Sequence, residues 1–103
     1  MQNKVKIFND NKTCHNVPVP VPARILNIQS EIGELAKSYL ENSKYGTQPF
    51  ELNDDFKGEL GDVLYAIMSL ANELNISCEE CLDAALTKYK NRINNANSMK
   101  SGN

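Results

Sequence analysis

Apolar side chains recur at three- and four-residue steps in three stretches of this chain, and each stretch predicts an amphipathic helix. The first stripe is Ile25, Ile28, Ile32, Leu35, Ala36 and Tyr39, giving a helix over residues 22–42. Pro22 suits its first turn, where a missing N–H costs nothing, and Asn42, Ser43 and Gly46 end it. The second stripe is Phe56, Leu60, Val63, Leu64, Ile67, Ala71 and Leu74, giving a helix over 54–74 with Asn53 or Asp54 as its cap. The third is Cys78, Leu82, Ala85, Leu86, Tyr89 and Ile93. It opens on Ser77 with Glu80 three residues on, the pattern of a capping box.

The ends break this rhythm. Val5 and Ile7 alternate with lysines, so Lys4–Phe8 reads as a short strand or an extended arm. Asn9–Lys12 is a turn cluster, and Val17-Pro18-Val19-Pro20-Val21-Pro22 is extended, because each proline biases its predecessor away from the helix. Residues 1–21 are therefore expected to form an extended N-terminal arm, 22–95 a helical domain, and the Asn-, Ser- and Gly-rich residues 96–103 a flexible tail.

The pattern predicts an all-α fold, an antiparallel bundle of three main helices. A domain of about 100 residues buries only a modest core. Three wide stripes leave apolar surface uncovered, so dimerisation is expected to complete the bundle, as a homodimer or a dimer of dimers.

Composition narrows the function classes. The net charge is −2 and the sequence pI about 5.3, without the basic excess of a dedicated nucleic-acid binder. No apolar run approaches the ~18 residues that span a bilayer. The opening Met-Gln-Asn-Lys leads into no apolar signal core. Three cysteines are an odd count, so a disulfide framework is not expected, and the expected address is cytoplasmic.

The most informative feature is a repeated pentapeptide. Glu31-Ile32-Gly33-Glu34-Leu35 lies in the first predicted helix and Glu59-Leu60-Gly61-Asp62-Val63 in the second. At ~100° per residue, Glu31 and Glu59 fall about 90° from the centre of their own helix's stripe, and Glu34 and Asp62 about 150°, all to the same side. A short connection makes the two helices an antiparallel hairpin. Reversing one axis brings equal-handed flanks together, so all four carboxylates converge on one edge. Four like charges there repel unless a cation sits among them. All-oxygen donors suit a hard ion, Mg²⁺ or Mn²⁺. Gly33 and Gly61 lie on the opposite flank. A helix-interior glycine costs about 1 kcal/mol relative to alanine, so a closely packed neighbouring backbone is expected there.

These residues carry a resemblance. The E-x-x-E at Glu31/Glu34, the E-x-x-D at Glu59/Asp62, and the stretches EIGELAK, ELGDVLYAIMSLANELNIS and ALTKYKNRI resemble the MazG-like nucleotide pyrophosphohydrolases. That all-α family shares its fold with dimeric dUTPases and phosphoribosyl-ATP pyrophosphatase. The resemblance covers about Ile25 to Ile93 and implies Mg²⁺-dependent hydrolysis of a nucleoside triphosphate to monophosphate and pyrophosphate. It implies Glu31, Glu34, Glu59 and Asp62 as metal ligands, and Lys88 and Arg92 as the basic positions of the last helix. One departure is the proline-interrupted region before the first acidic motif, where family members often carry a further helix.

The chemistry agrees with the residues. Water attack on a phosphoanhydride needs charge neutralised and geometry fixed more than covalent help. Glu31 or Glu34 is the candidate general base. Lys88 and Arg92 are i,i+4 and share a face that suits a polyphosphate. Lys37 and Asn72 are candidate substrate contacts. Tyr45, Phe50 and Phe56 offer rings that stack on a base or pack the loop. Cys78-Glu-Glu-Cys81 with Cys14-His15 supplies four zinc-ligating types, against which stands the place of Cys78 on the apolar stripe. Two alternatives stand beside the triphosphate hydrolase: a phosphoribosyl-ATP pyrophosphatase, and a regulatory helical module of the same fold without turnover.

Overall fold

The computed structural model describes residues 1–11 and 19–101, with side chains through residue 98. Four helices follow one another: α1 (Gln2–Asp10), α2 (Val21–Asn42), α3 (Asp54–Glu73) and α4 (Cys78–Ser101). There is no strand among the described residues, and no helix among them is long and apolar enough to cross a membrane. The Cys14–His15 pair lies outside the described residues.

The expected helix boundaries hold closely for α2 and α3. Pro22 stands in the first turn of α2. Asn53 caps α3, its side-chain oxygen accepting from the Phe56 amide at 2.9 Å. Asp54 and Asp55 in the first turn favour the positive end of the helix dipole. Ser77 Oγ accepts from the Glu80 amide at 3.2 Å, one half of the expected capping box. The other terminus departs from expectation. Residues 96–101 continue α4 as helix instead of forming a tail.

The N-terminal arm is also corrected. Lys4–Phe8 lies inside a nine-residue helix, and neither a strand nor an extended arm forms there. Alternation at Val5 and Ile7 suggested strand, but the positions that meet α3 are spaced as on a helix. Gln2 and Asn9 share a face two turns apart and bond Asn72, Tyr65 and Ser69 on α3. Phe8 meets the Tyr65 ring edge-on, 5.9 Å between centroids. A helix this short is marginal alone, so these tertiary contacts decide its form. The Gln2 side chain also closes the α3–α4 corner. Its amide nitrogen donates to the Ile76 carbonyl at 2.7 Å, and its oxygen accepts from the Cys78 amide at 2.7 Å, where α4 begins.

α2 and α3 form the expected antiparallel hairpin. Ser38 donates to Asp55 Oδ2 at 2.6 Å near one end, and Arg24 Nη2 lies 3.6 Å from Glu73 near the other. The turn between them uses three successive left-handed residues, Lys44, Tyr45 and Gly46 (φ 47°, 60° and 83°). Buried Ser43 holds it by donating to the Tyr39 carbonyl and accepting from the Gly46 amide. The Asn42 side chain pairs with both backbone groups of Glu51. Phe50 packs between Tyr39 and Phe56, with centroids 5.6 and 4.9 Å away, so Phe50 and Phe56 fasten the loop. Tyr45 stands out in solvent.

A three-helix bundle does not close within one chain. Val63, Ala66, Met68 and Ala71 of α3 are the buried apolar residues among those described. α4 packs extensively on neither α2 nor α3. Leu82, Leu86, Tyr89 and Ile93, the large side chains of its expected stripe, are each at least half exposed. The radius of gyration is 18.4 Å, against roughly 13 Å for a compact chain of this length. The glycine expectation is likewise unmet inside the chain. A Cβ at Gly33 or Gly61 would touch nothing within 4 Å, so no neighbouring backbone among the described residues explains either.

Candidate metal centre

Antiparallel packing turns the i, i+3, i+4 spacing of α2 and α3 into one polar seam. On α2 it runs Arg24, Asn27, Glu31, Glu34, Ser38; on α3, in the opposite direction, Glu73, Ser69, Asp62, Glu59, Asp55. The Ser38–Asp55 bond and the Arg24–Glu73 ion pair bracket it and fix the helix register. Ser38 itself is buried.

The carboxylates of Glu31, Glu59 and Asp62 meet at the middle of the seam. One oxygen from each lies within 4.8 Å of the others. Glu31 and Glu59 are half-buried and Asp62 is exposed. Glu34, the fourth expected ligand, falls outside this group. It lines a separate cleft of about 150 Å³ with Lys37, Ser38, Glu41, Asp55 and Glu59. Glu59 thus stands between the trio and a second group of acids.

Electrostatics follow from that position. The Glu59 carboxyl is held above its ordinary value, first by partial burial, then by the charges of Asp62, Asp55, Glu34 and Glu31. The ion pairs seen among the described residues, Lys6–Asp10 and Arg24–Glu73, leave the trio without a cation. Three convergent carboxylate oxygens, mutually repelling and uncompensated, fit a hard divalent cation by their donor chemistry. They do not suit a soft metal, which prefers thiolate or imidazole.

The other expected residues are more scattered. Lys37 lies in the cleft beside Glu34, within the same neighbourhood. Asn72 is engaged elsewhere. Its side chain accepts from Gln2 Nε2 at 2.8 Å and donates to the Gln2 carbonyl, so it ties α1 to α3. Lys88 and Arg92 flank Tyr89 on α4, each over its ring at 5.5 and 5.7 Å. Because α4 stands off, the fold of one chain does not carry them to the acids. Cys78 and Cys81 are free thiols, half-buried and exposed respectively.

Asp55 and Ser38 were not singled out from the sequence. Asp55 precedes Glu59 by one turn and Ser38 follows Glu34 by one turn, so extending the acidic edge by i±4 finds both. What the spacing does not carry is that Ser38 is buried and bonded across the helices.

The chain is 38% identical over 73 residues to the uncharacterized protein YpjD of Bacillus subtilis (strain 168), a match covering 68% of this chain and 64% of that protein. The chain thus spans somewhat under two thirds of that relative's length. No solved structure matches significantly. The family model of the MazG nucleotide pyrophosphohydrolase domain matches residues 23–96, which takes in all but the first two residues of α2, the whole of α3 and most of α4. With both acidic motifs inside the matched region and three of their carboxylates drawn together across the hairpin, the chain belongs to the MazG nucleotide pyrophosphohydrolase family.

Proposed function

We propose that this protein hydrolyses nucleoside triphosphates to the monophosphate and pyrophosphate, using a divalent ion, Mg²⁺ or Mn²⁺. The observation that carries this reading is the trio Glu31, Glu59 and Asp62, which brings three oxygens within 4.8 Å with no cation among the described residues ion-paired to them. These three residues would hold the ion. When bound, a divalent ion neutralises phosphate charge and lowers the pKa of water. Glu34 is the expected fourth ligand and also the acid the trio leaves uncommitted, so it is the residue we assign to take the proton from the attacking water. Lys37 beside it offers a positive charge toward the phosphates.

The product pattern tests the reaction. Incubation of canonical and modified triphosphates with Mg²⁺ should release pyrophosphate and monophosphate. Orthophosphate and a diphosphate as first products would contradict it. Turnover of phosphoribosyl-ATP alone would select the other pyrophosphatase reading, and absence of any turnover would leave a regulatory module.

Assembly is part of the same proposal. The exposed face of α4 and the uncovered flank of the α2–α3 hairpin are two apolar surfaces of one chain that do not meet each other. A second copy supplies both complements, giving a homodimer or a dimer of dimers. In that assembly Lys88 and Arg92 of one chain approach the acidic edge of the other and meet the polyphosphate. Open space at Gly33 and Gly61 leaves room for close approach of the second chain. Light scattering at micromolar concentration should show a dimer or tetramer, and a monomer would overturn the assembly.

A further inference from the structure

The polar seam continues past the acids into a cavity of about 350 Å³, lined by Arg24, Asn27, Tyr65, Ala66 and Ser69 among others. Its volume falls in the range of small-molecule pockets. Its position relative to the trio follows from helix geometry. Asn27 precedes Glu31 by four residues and Ala66 follows Asp62 by four, so the cavity opens one turn, about 6 Å, along the same edge. The next turn brings Arg24 and Ser69.

The wall of this cavity presents donors. Arginine carries five N–H groups and no acceptor. Arg24 Nε is buried without a partner among the described residues. Its Nη2 lies 3.6 Å from Glu73, an ion pair too long for a hydrogen bond. The Tyr65 hydroxyl already donates to Asn9 Oδ1 at 2.5 Å, which fixes the ring as part of the wall. Ser69 Oγ accepts from Asn9 Nδ2 at 3.1 Å and keeps its own proton to give. The Asn27 amide both donates and accepts.

The geometry points to this cavity as the pocket for the nucleobase, with Arg24 as the residue that selects a keto base. The inference rests on the triphosphate reading above, and it names the substrate class that reading leaves open. A triphosphate on the acidic edge directs its sugar and base along the seam. A guanidinium facing the base edge satisfies a keto oxygen, as in guanine, hypoxanthine or uracil. The amino group of adenine or cytosine at the equivalent position would set donor against donor. Asn27, between Arg24 and Glu31, lies where the sugar or the near edge of the base passes.

Steady-state kinetics with dGTP, dITP, dUTP, dATP and dCTP test this, on the parent and on Arg24→Met, which keeps the apolar stem and removes the donors. The parent should favour the three keto substrates. In Arg24→Met their KM should rise on the order of tenfold or more, with kcat little changed and dATP and dCTP hardly affected. Glu73→Gln removes the ion pair but leaves the donors, so its base preference should match the parent, which a merely structural role for Arg24 would not allow. Asn27→Ala provides a second variant should Arg24→Met fold poorly, with KM again rising more than kcat falls. Equilibrium binding of the α,β-imido analogue of dGTP should weaken in Arg24→Met by the same factor, while Mg²⁺ stabilisation of the nucleotide-free protein stays as in the parent. Equal use of all five substrates by the parent, or an unchanged keto preference in Arg24→Met, would overturn the pocket assignment alone. A parent that neither hydrolyses any triphosphate nor binds the imido analogue with Mg²⁺ present would instead overturn the triphosphate reading.

Discussion

Glu59→Gln is expected to lower turnover by orders of magnitude while leaving the metal-free protein as stable as the parent or more so. The two effects have one origin. Glu59 stands between the trio and the second acidic group, and desolvation together with four neighbouring acids holds its carboxyl above the ordinary value. Glutamine keeps the shape and removes one of the repelling charges, so the apo protein loses nothing by the change. In the proposed centre it also removes a ligand oxygen of full charge, and with it the placement of the ion. Mg²⁺ should therefore raise the melting temperature of the parent and hardly that of the variant. For the parent, an excess of a hundredfold over Kd corresponds to about 2.7 kcal/mol.

The pH dependence has a definite sign. Glu59 has a folded-state pKa raised above its ordinary value of 4.5, so the folded state holds that proton more tightly than the unfolded chain does. The contribution is fully present below pH 4.5 and is lost as pH rises through the raised pKa. Thermal melts of the apo parent should show this loss, and Glu59→Gln should flatten it. An exposed acidic face without a metal role predicts melts indifferent to every divalent ion and activity unchanged by the substitution, and either result would sink the centre.

Mixing two inactive variants is expected to restore activity. Arg92→Ala removes a cation of α4, and Glu59→Gln disables the acidic trio. In the proposed homodimer each variant then has two defective sites. In a mixed dimer, the intact acids of the Arg92→Ala chain meet Arg92 of the Glu59→Gln chain, and one site is whole. Random exchange of equal amounts should recover about a quarter of parental activity, since half the dimers are mixed and each carries one working site. The physical basis is α4, whose stripe of Leu82, Leu86, Tyr89 and Ile93 is exposed and whose basic residues do not reach the acids of their own chain. Arg92→Ala alone should weaken triphosphate binding more than Mg²⁺ binding, because guanidinium binds phosphate and not metal. No recovery on mixing, with subunit exchange shown by differently tagged chains, would return the basic pair to its own chain or to solvent.

Local signals in the sequence determined the helical class, the limits of α2 and α3, and the acidic edge. Periodic stripes, Asn53 as a cap and Pro22 in a first turn act within a few residues, so they need no knowledge of the rest of the chain. Convergence of Glu31, Glu59 and Asp62 was legible too, because handedness and a short connection fix which flanks of a hairpin meet. Tertiary structure decided the rest. Lys4–Phe8 has a pattern compatible with strand or helix, and only the seating of Gln2 and Asn9 on α3 makes it helix. Glu34 shares its motif with Glu31, yet it is drawn into the neighbouring cleft, because side chains one turn apart on a helix meet different partners across the seam. Asn72 has the composition of a substrate contact and is instead bonded to Gln2, a partner 70 positions away. What the apolar face of α4 packs against is not encoded in its stripe either. An apolar face specifies that it must be buried, not against what, because the hydrophobic effect is non-directional.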